Sequence, residues 1–328
     1  MKNIVIFHHN DLDGYGAAAV VYNMIVNNTN DDSAVNMYTF LECNYGNLKV
    51  TASRLTETGF KRIDQIYIVD LSFSNADTFS EVYKILEAYP ECEINWIDHH
   101  EASINFLSTC KDDGLFQILV ASHKLNYYVT DEHSATWLAW EYMNNDTHQI
   151  HNDIPQVVIY IDDYDRWVHN YSESKWLNNI FWSYKPGTEL KSPNSPAWTS
   201  IIYDDTVLAQ IIQNGKIIAD YRSGLYEGIF KNQAYVVDDF EGHKAIVLNS
   251  NGNSECFCDA YDTYPICVLW RFNGSRYTYS LYSNPKFNIN CNEIAVKYGG
   301  GGHPGAAGFA TDELLPALRS GHKEDNNA

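Results

Sequence analysis

The sequence predicts an α/β fold with a mostly parallel sheet in the N-terminal part, a helical linker and a smaller α+β domain. Three observations predict it. Short apolar runs alternate with helix-length patterns through the first half. A long helical pattern then runs from residue 205 to 231. Beyond residue 235 the pattern changes to closely spaced strand-like runs with hairpin chemistry. The chain has 328 residues, which suits about two domains at roughly 150 residues each. Strand–helix alternation of this kind gives a Rossmann-like sheet with helices on both faces.

Residues 4–7 (Ile-Val-Ile-Phe) form a first strand, followed by a helix over 14–26. Residues 66–69 form a second strand and 76–88 a helix. Residues 94–97 form a third strand, with a helix over 134–142. The apolar run 157–161 is consistent with either strand or helix. Residues 183–200, with Pro186, Pro193 and Pro196, read as a loop. In the second half, 235–237, 244–248, 266–270 and 277–283 each read as a strand, and Phe272-Asn273-Gly274-Ser275 as a hairpin turn. A short helix over 292–298 ends at a glycine run. The expected domains are 1–195, a linker 196–234 containing the long helix, 235–320, and a frayed tail 321–328.

Composition limits the function classes. Hydrophobic residues at 45% and charged residues at 20% exclude a largely disordered chain. The formal net charge of −20 is the wrong sign for a protein that coats long nucleic acid by neutralising phosphates. No run of apolar residues is long enough for a membrane span, and the N-terminal apolar core is too short for a signal peptide. The seven cysteines are scattered without a CxxC pair, so free thiols in a cytoplasmic protein are expected.

Four groups of ligand-type residues follow apolar runs. They are His9-Asn10-Asp11-Leu12-Asp13-Gly14, then Asp70, then Asp98-His99-His100, then Asp162-Asp163-Tyr164-Asp165. Taken alone, each has an ordinary reading as a turn or helix cap. Together, at the carboxyl ends of parallel strands, they would converge on one crevice. Carboxylates with imidazoles and no cysteine suit divalent ions such as Mn2+ or Mg2+. A shared carboxylate would bridge two ions about 4 Å apart, an arrangement suited to phosphoryl displacement.

These motifs, with Gly299-Gly300-Gly301-Gly302-His303-Pro304-Gly305-Ala306-Ala307-Gly308-Phe309, resemble the DHH/DHHA1 phosphoesterase superfamily. The resemblance covers residues 4–170 and 235–310. It implies a DHH catalytic domain and a DHHA1-like substrate-binding domain with the active site in the crevice between them. It implies two divalent cations, Mn2+ foremost, with Mg2+ or Co2+ as alternatives. By this resemblance His9 and Asp11 hold one ion, Asp13 and His99 the other, and Asp70 bridges. Asp163 aligns as the ligand of the fourth segment, with Asp165 as the alternative. His100 lies beside the reaction centre, as a hydrogen-bond donor to phosphate or an acid for the leaving group.

The glycine run permits close backbone approach, and its amides are candidates to cradle an anion. Gly300, Gly301, Gly302 and His303 are therefore candidate substrate-binding residues. Many relatives carry arginine in a SLRS strand, whereas this chain reads Ser280-Leu281-Tyr282-Ser283. Tyr282 is a candidate for base stacking, and Arg271 or Arg276 for the missing charge. Ser134 opens a helix whose N-terminus is a candidate phosphate site.

Within the superfamily the combination is similar to nanoRNases (oligoribonucleases), especially the type-B branch. The expected activity is Mn-dependent hydrolysis of short RNA or DNA oligonucleotides to nucleoside monophosphates. Alternatives on the same site are a pAp phosphatase and a cyclic or linear dinucleotide phosphodiesterase; a non-catalytic nucleotide-binding module is the alternative of another class. A monomer or homodimer acting away from membranes is expected.

Overall fold

The first apolar run becomes the centre of a sheet. Strand β1 (Asn3–His9) sends Ile4 and Ile6 into one core and Val5 and Phe7 into the other. Burial on both faces is why the run reads as continuously apolar, as parallel strands covered by helices do. The computed structural model describes residues 2–28, 36–44, 49–147 and 153–323. After β1 come α1 (Leu12–Asn28), β2 (Met37–Cys43), α2 (Ala52–Thr56), β3 (Gln65–Val69) and α3 (Ala76–Ala88). Then follow β4 (Glu93–Asp98), α4 (Glu101–Thr109), α5 (Gly114–Ala121), β5 (Leu125–Val129) and α6 (Ala135–Thr147). The strands pair in parallel in the order β2-β1-β3-β4-β5. This order reverses direction between β1 and β3, the switch point where doubly wound sheets open a crevice at their carboxyl ends.

Helices α7 (Gln156–Asp165), α8 (Ser172–Ser183), α9 (Pro196–Tyr203) and α10 (Asp205–Gln233) complete the first half. The run 157–161 is therefore helical, so the fourth acidic segment lies in the last turn of α7 and not at a strand end. The loop expected over 183–200 ends early: Ser195 accepts from the Ala197 amide at 3.2 Å, and Pro196 occupies the first turn of α9. Strands β2 and β5, absent from the sequence reading, are the sheet's edges and only partly buried, so their apolar signal is weak.

Two compact units result, Met1–Ile218 and Ala219–Ala328, divided inside α10. The second is built on β6 (Tyr235–Phe240), β7 (His243–Asn249), β8 (Ile266–Phe272) and β9 (Tyr277–Tyr282), then α11 (Cys291–Lys297), β10 (Gly301–Gly302) and β11 (Ala306–Thr311). Its sheet order is β10-β11-β9-β8-β7-β6, antiparallel except for the β7–β8 pair. The hairpin between β8 and β9 closes on Asn273, whose side chain accepts from the Ser275 and Arg276 amides. Residues 321–323 are tied down: Val236 and His322 exchange backbone hydrogen bonds of 2.8 and 2.9 Å. The rest of the expected frayed tail, 324–328, lies outside the described residues. All seven cysteines are free thiols. Among the described residues no helix is long and apolar enough to cross a membrane.

One core residue reaches directly toward the crevice. Trp96 is fully buried against Phe73 and Phe79, and its indole N–H donates to the Leu71 carbonyl at 2.9 Å. This fixes the backbone one residue beyond Asp70. Trp96→Phe strands that buried carbonyl and is expected to cost about 1–3 kcal/mol in urea unfolding. An unchanged unfolding free energy would show that the bond contributes nothing.

Candidate metal centre

Asp70 sits at the end of β3 with φ 57, in the left-handed region that non-glycine residues rarely occupy. Such backbone costs of order 1–3 kcal/mol and persists only where its surroundings impose it. The Asp70 amide donates to Ile97 O on the neighbouring strand at 3.0 Å. Its carboxylate is buried and faces two ways. Oδ1 lies 3.3 Å from His99 Nε2 and 3.9 Å from His100 Nδ1. Oδ2 lies 3.6 Å from His9 Nδ1, is sealed from solvent, and has no hydrogen-bond partner among the described residues.

The end of β1 supplies the next ligands. Asp11 caps α1 by accepting from the Gly14 amide at 2.9 Å, and its other oxygen lies 2.6 Å from His9 Nδ1. Gly14 is required here, because a Cβ would meet the His9 carbonyl oxygen at 2.5 Å. Asp13, in the first turn of α1, is buried and accepts from the Ala135 and Thr136 amides at 2.7 and 2.8 Å. Its Oδ2 is also 3.7 Å from His99 Nε2.

Ser134 does not present a free helix end to phosphate. Its amide donates to Asp162 Oδ1 at 2.6 Å, and Asp13 occupies the next two amides of α6. The N-terminal dipole of α6 is spent on protein carboxylates.

The end of β4 divides its triplet between roles. Asp98 is fully buried, accepts from Ser103 Oγ, and pairs with His100 Nδ1 at 2.7 Å. It orients His100 from behind, as a carboxylate behind an imidazole does. This role was not read from the sequence, although the i, i+2 spacing within the triplet carries it.

In the fourth segment it is Asp165 whose carboxylate faces the cluster. Its Oδ2 lies 3.4 Å from His99 Nε2. Asp163 instead caps α8, accepting from the Asn170 amide at 2.7 Å, the Tyr171 amide at 3.3 Å and Ser174 Oγ at 2.6 Å. A strand would place Asp163 and Asp165 on one face; a helix separates them and puts Asp162 and Asp165 on adjacent positions of one face.

The donor atoms form groups that fit divalent cations. His9, Asp11 and Asp70 bring ligand atoms within 4.8 Å of one another, as do Asp13, His99 and Asp165, and also Asp70, His99 and His100. The unpartnered Asp70 Oδ2 is the strongest sign of fit, since a sealed carboxylate oxygen without a donor is costly unless a cation meets it. All-oxygen-and-imidazole donor sets match Mn2+ or Mg2+ better than structural zinc.

The remaining candidates belong to the second unit. The Gly299 and Gly300 amides donate to Val296 O and Ala295 O, and the His303 amide to Ala306 O at 2.8 Å. The Gly299 and Gly300 amides are thus used in closing the end of α11 and the His303 amide in the β10–β11 hairpin, and none of the three is available to an anion. Gly300 is needed for packing, because a Cβ would meet Gly308 O at 2.1 Å. Gly301 and Gly302 form β10 and are exposed, as is His303. Tyr282 packs toward Phe257 in the apolar cluster beneath the sheet, which opposes its use as an open stacking platform. Arg276 pairs with Asp312 at 2.8 Å, while Arg271 is exposed and makes no ion pair among the described residues.

The backbone matches solved structures along nearly its whole length. A DHH domain from a member of the s1p family of ribosomal proteins superposes with TM-score 0.58 at 13% identity, covering 94% of this chain and 82% of that one. The chain has the DHH-domain fold. The pGpG-specific phosphodiesterase of Vibrio cholerae gives TM-score 0.51 at 13% identity, covering 95% and 94% of the two chains. RecJ of Thermus thermophilus, in complex with Mn2+, gives TM-score 0.51 at 15% identity, covering 97% of this chain and 51% of that one. An uncharacterised protein of Acanthamoeba polyphaga mimivirus is 22% identical over 196 residues, 57% of this chain, and the match spans only 43% of that relative. No protein-family profile matches the chain.

In this site, charge balance follows from burial against pairing. Burial opposes the charged form of His9, but Asp11 and then Asp70 outweigh it and raise its pKa to about 11. Burial likewise opposes charge on His100, and Asp98 with Asp70 raises it to about 9. His99 is also raised, with Asp70 and Asp165 overcoming burial. Asp13 is pushed up to about 6 by burial and by Asp70. Asp165 is raised by burial and by Asp13. Asp70 is buried too, yet His9 and His99 hold it well below the usual carboxylate range.

Histidine must be neutral to ligate a metal, so an entering ion displaces these protons. Affinity for Mn2+ is therefore expected to rise with pH from about 6 to about 9, by about tenfold per pH unit for each proton released. Calorimetry in buffers of different ionisation enthalpy counts the protons; pH-independent binding would contradict protonated ligands. The two carboxylates of α7 separate by substitution. Asp163→Ala is expected to lose about 1–3 kcal/mol of stability by leaving the α8 donors unpaired, with Mn2+ affinity retained. Asp165→Ala should do the reverse, and a loss of metal from Asp163→Ala alone would reassign the ligand.

Proposed function

We propose that the chain is a divalent-metal-dependent phosphodiesterase acting on short oligonucleotides, with Mn2+ as the preferred ion. The observation that carries this reading is Asp70, whose two buried oxygens face separate His/Asp groups. His9 and Asp11 would hold one ion, Asp13, His99 and Asp165 the other, and Asp70 both. Bound ions would activate a water and neutralise charge on the entering and leaving oxygens. His100, oriented by Asp98, would donate its proton to the departing oxygen as the phosphorus–oxygen bond breaks. Arg271 and the exposed His303 are the proposed contributors to substrate affinity from the second unit.

Two supports bear on substrate class. The net charge of −20 disfavours a long polyanion, which needs an extended basic surface. The likeness to a pGpG-specific phosphodiesterase favours a linear dinucleotide as the second reading. The test is a panel of labelled dinucleotide, pentanucleotide, pGpG, cyclic dinucleotide and pAp, assayed with Mn2+. Release of nucleoside monophosphate from the oligonucleotides, reduced at least about a thousandfold by Asp70→Ala, is expected. No product from any member under any divalent ion would refute the reading.

A further inference from the structure

Lys191 is the one lysine or arginine in the buried class among the described residues, 8% exposed. It lies in a short 3-10 turn, Glu189–Lys191, that is anchored on both sides. The Trp198 indole donates to Leu190 O at 3.1 Å, and the Gly187 amide donates to Lys191 O at 3.0 Å. The ammonium sits in a box of three rings, 3.7 Å from the centroid of Trp182, 3.8 Å from Phe181 and 5.2 Å from Tyr15. It makes no hydrogen bond and no ion pair among the described residues.

The rings attract the cation through their faces but accept few of its three N–H donors. Glu42, the acidic group that most favours the charged lysine, accepts from the Tyr15 hydroxyl through Oε2 at 2.6 Å. Burial therefore lowers the lysine pKa to about 8, with Glu42 and Asp11 opposing it only in part. The ammonium is not one of the sealed, unpartnered polar atoms, so solvent still reaches it. Tyr15 also ties the box to the metal centre. Its amide donates to Asp11 O at 3.1 Å, and it stands one helical turn from Asp11 and two residues from Asp13.

We infer that Lys191 grips a substrate phosphate next to the one being cleaved, an inference that rests on the phosphodiesterase reading above. A rigidly held ammonium without an ion pair among the described residues, packed on a ring of the helix that carries Asp13 and drawn by the charge of Asp11, selects a ligand with a second phosphate. The resident ammonium itself repels a metal ion or a second cation there.

The test uses the full chain loaded with Mn2+, as wild type, Lys191→Met and Lys191→Arg. Substrates are a dinucleotide with a 5′-phosphate and the same dinucleotide without it. Wild type is expected to show KM about tenfold lower for the phosphorylated form. Lys191→Met should erase that difference while retaining Mn2+ affinity, and Lys191→Arg should keep most of it. Calorimetric titration with inorganic pyrophosphate needs no turnover, and Lys191→Met is expected to weaken it about tenfold. Unchanged pyrophosphate affinity in Lys191→Met, or an equal loss of Mn2+, overturns the inference. If wild type cleaves neither dinucleotide but Lys191→Met still loses pyrophosphate, the phosphodiesterase reading fails and the anion site stands.

Discussion

The structure depends on one carboxylate held where it would not rest unaided. Asp70 has left-handed backbone, near-complete burial and two oxygens turned toward different partners. Each feature is unfavourable alone. The neighbouring strand fixes its amide, the sheet switch point gives its side chain room, and His9 and His99 supply compensating charge. Other groups in the centre are arranged around that position: Asp11 behind His9, Asp98 behind His100, and the α6 amides behind Asp13. A divalent ion on either side of Asp70 would replace the histidine protons without moving the scaffold.

Most of the site was legible because parallel strands announce themselves. Runs such as Ile4–Phe7 in β1 are apolar at every position, since both faces are covered, and ligand residues directly after them must gather at one edge of the sheet. The reading was weakest where that logic did not apply. Asp162, Asp163 and Asp165 follow an apolar run too, but the run is helical, so direction around a helix and not alternation decides which carboxylate enters. Edge strands β2 and β5 were invisible because half-buried strands lack an apolar run. Lys191 lay outside every motif; nothing local in Glu189-Leu190-Lys191 signals the three rings that enclose it, two of them from α8 and one from α1.

The glycine run shows the opposite error. Its composition suggested donors offered to a ligand, but the Gly299 and Gly300 amides close the end of α11 and the His303 amide closes the hairpin. Small residues there permit β10 and β11 to approach closely, as the clash at Gly300 shows. Close packing and anion cradling make the same demand on sequence, and only hydrogen-bond accounting separates them.

The hold of α6 on Asp13 links positions 122 and 123 residues apart. Local segments can form early in folding, but this carboxylate finds its amides only after most of the first unit has been threaded into the sheet. Closure over so long a loop places the assembly of the centre late on the folding route, and partly folded chains would be metal-blind.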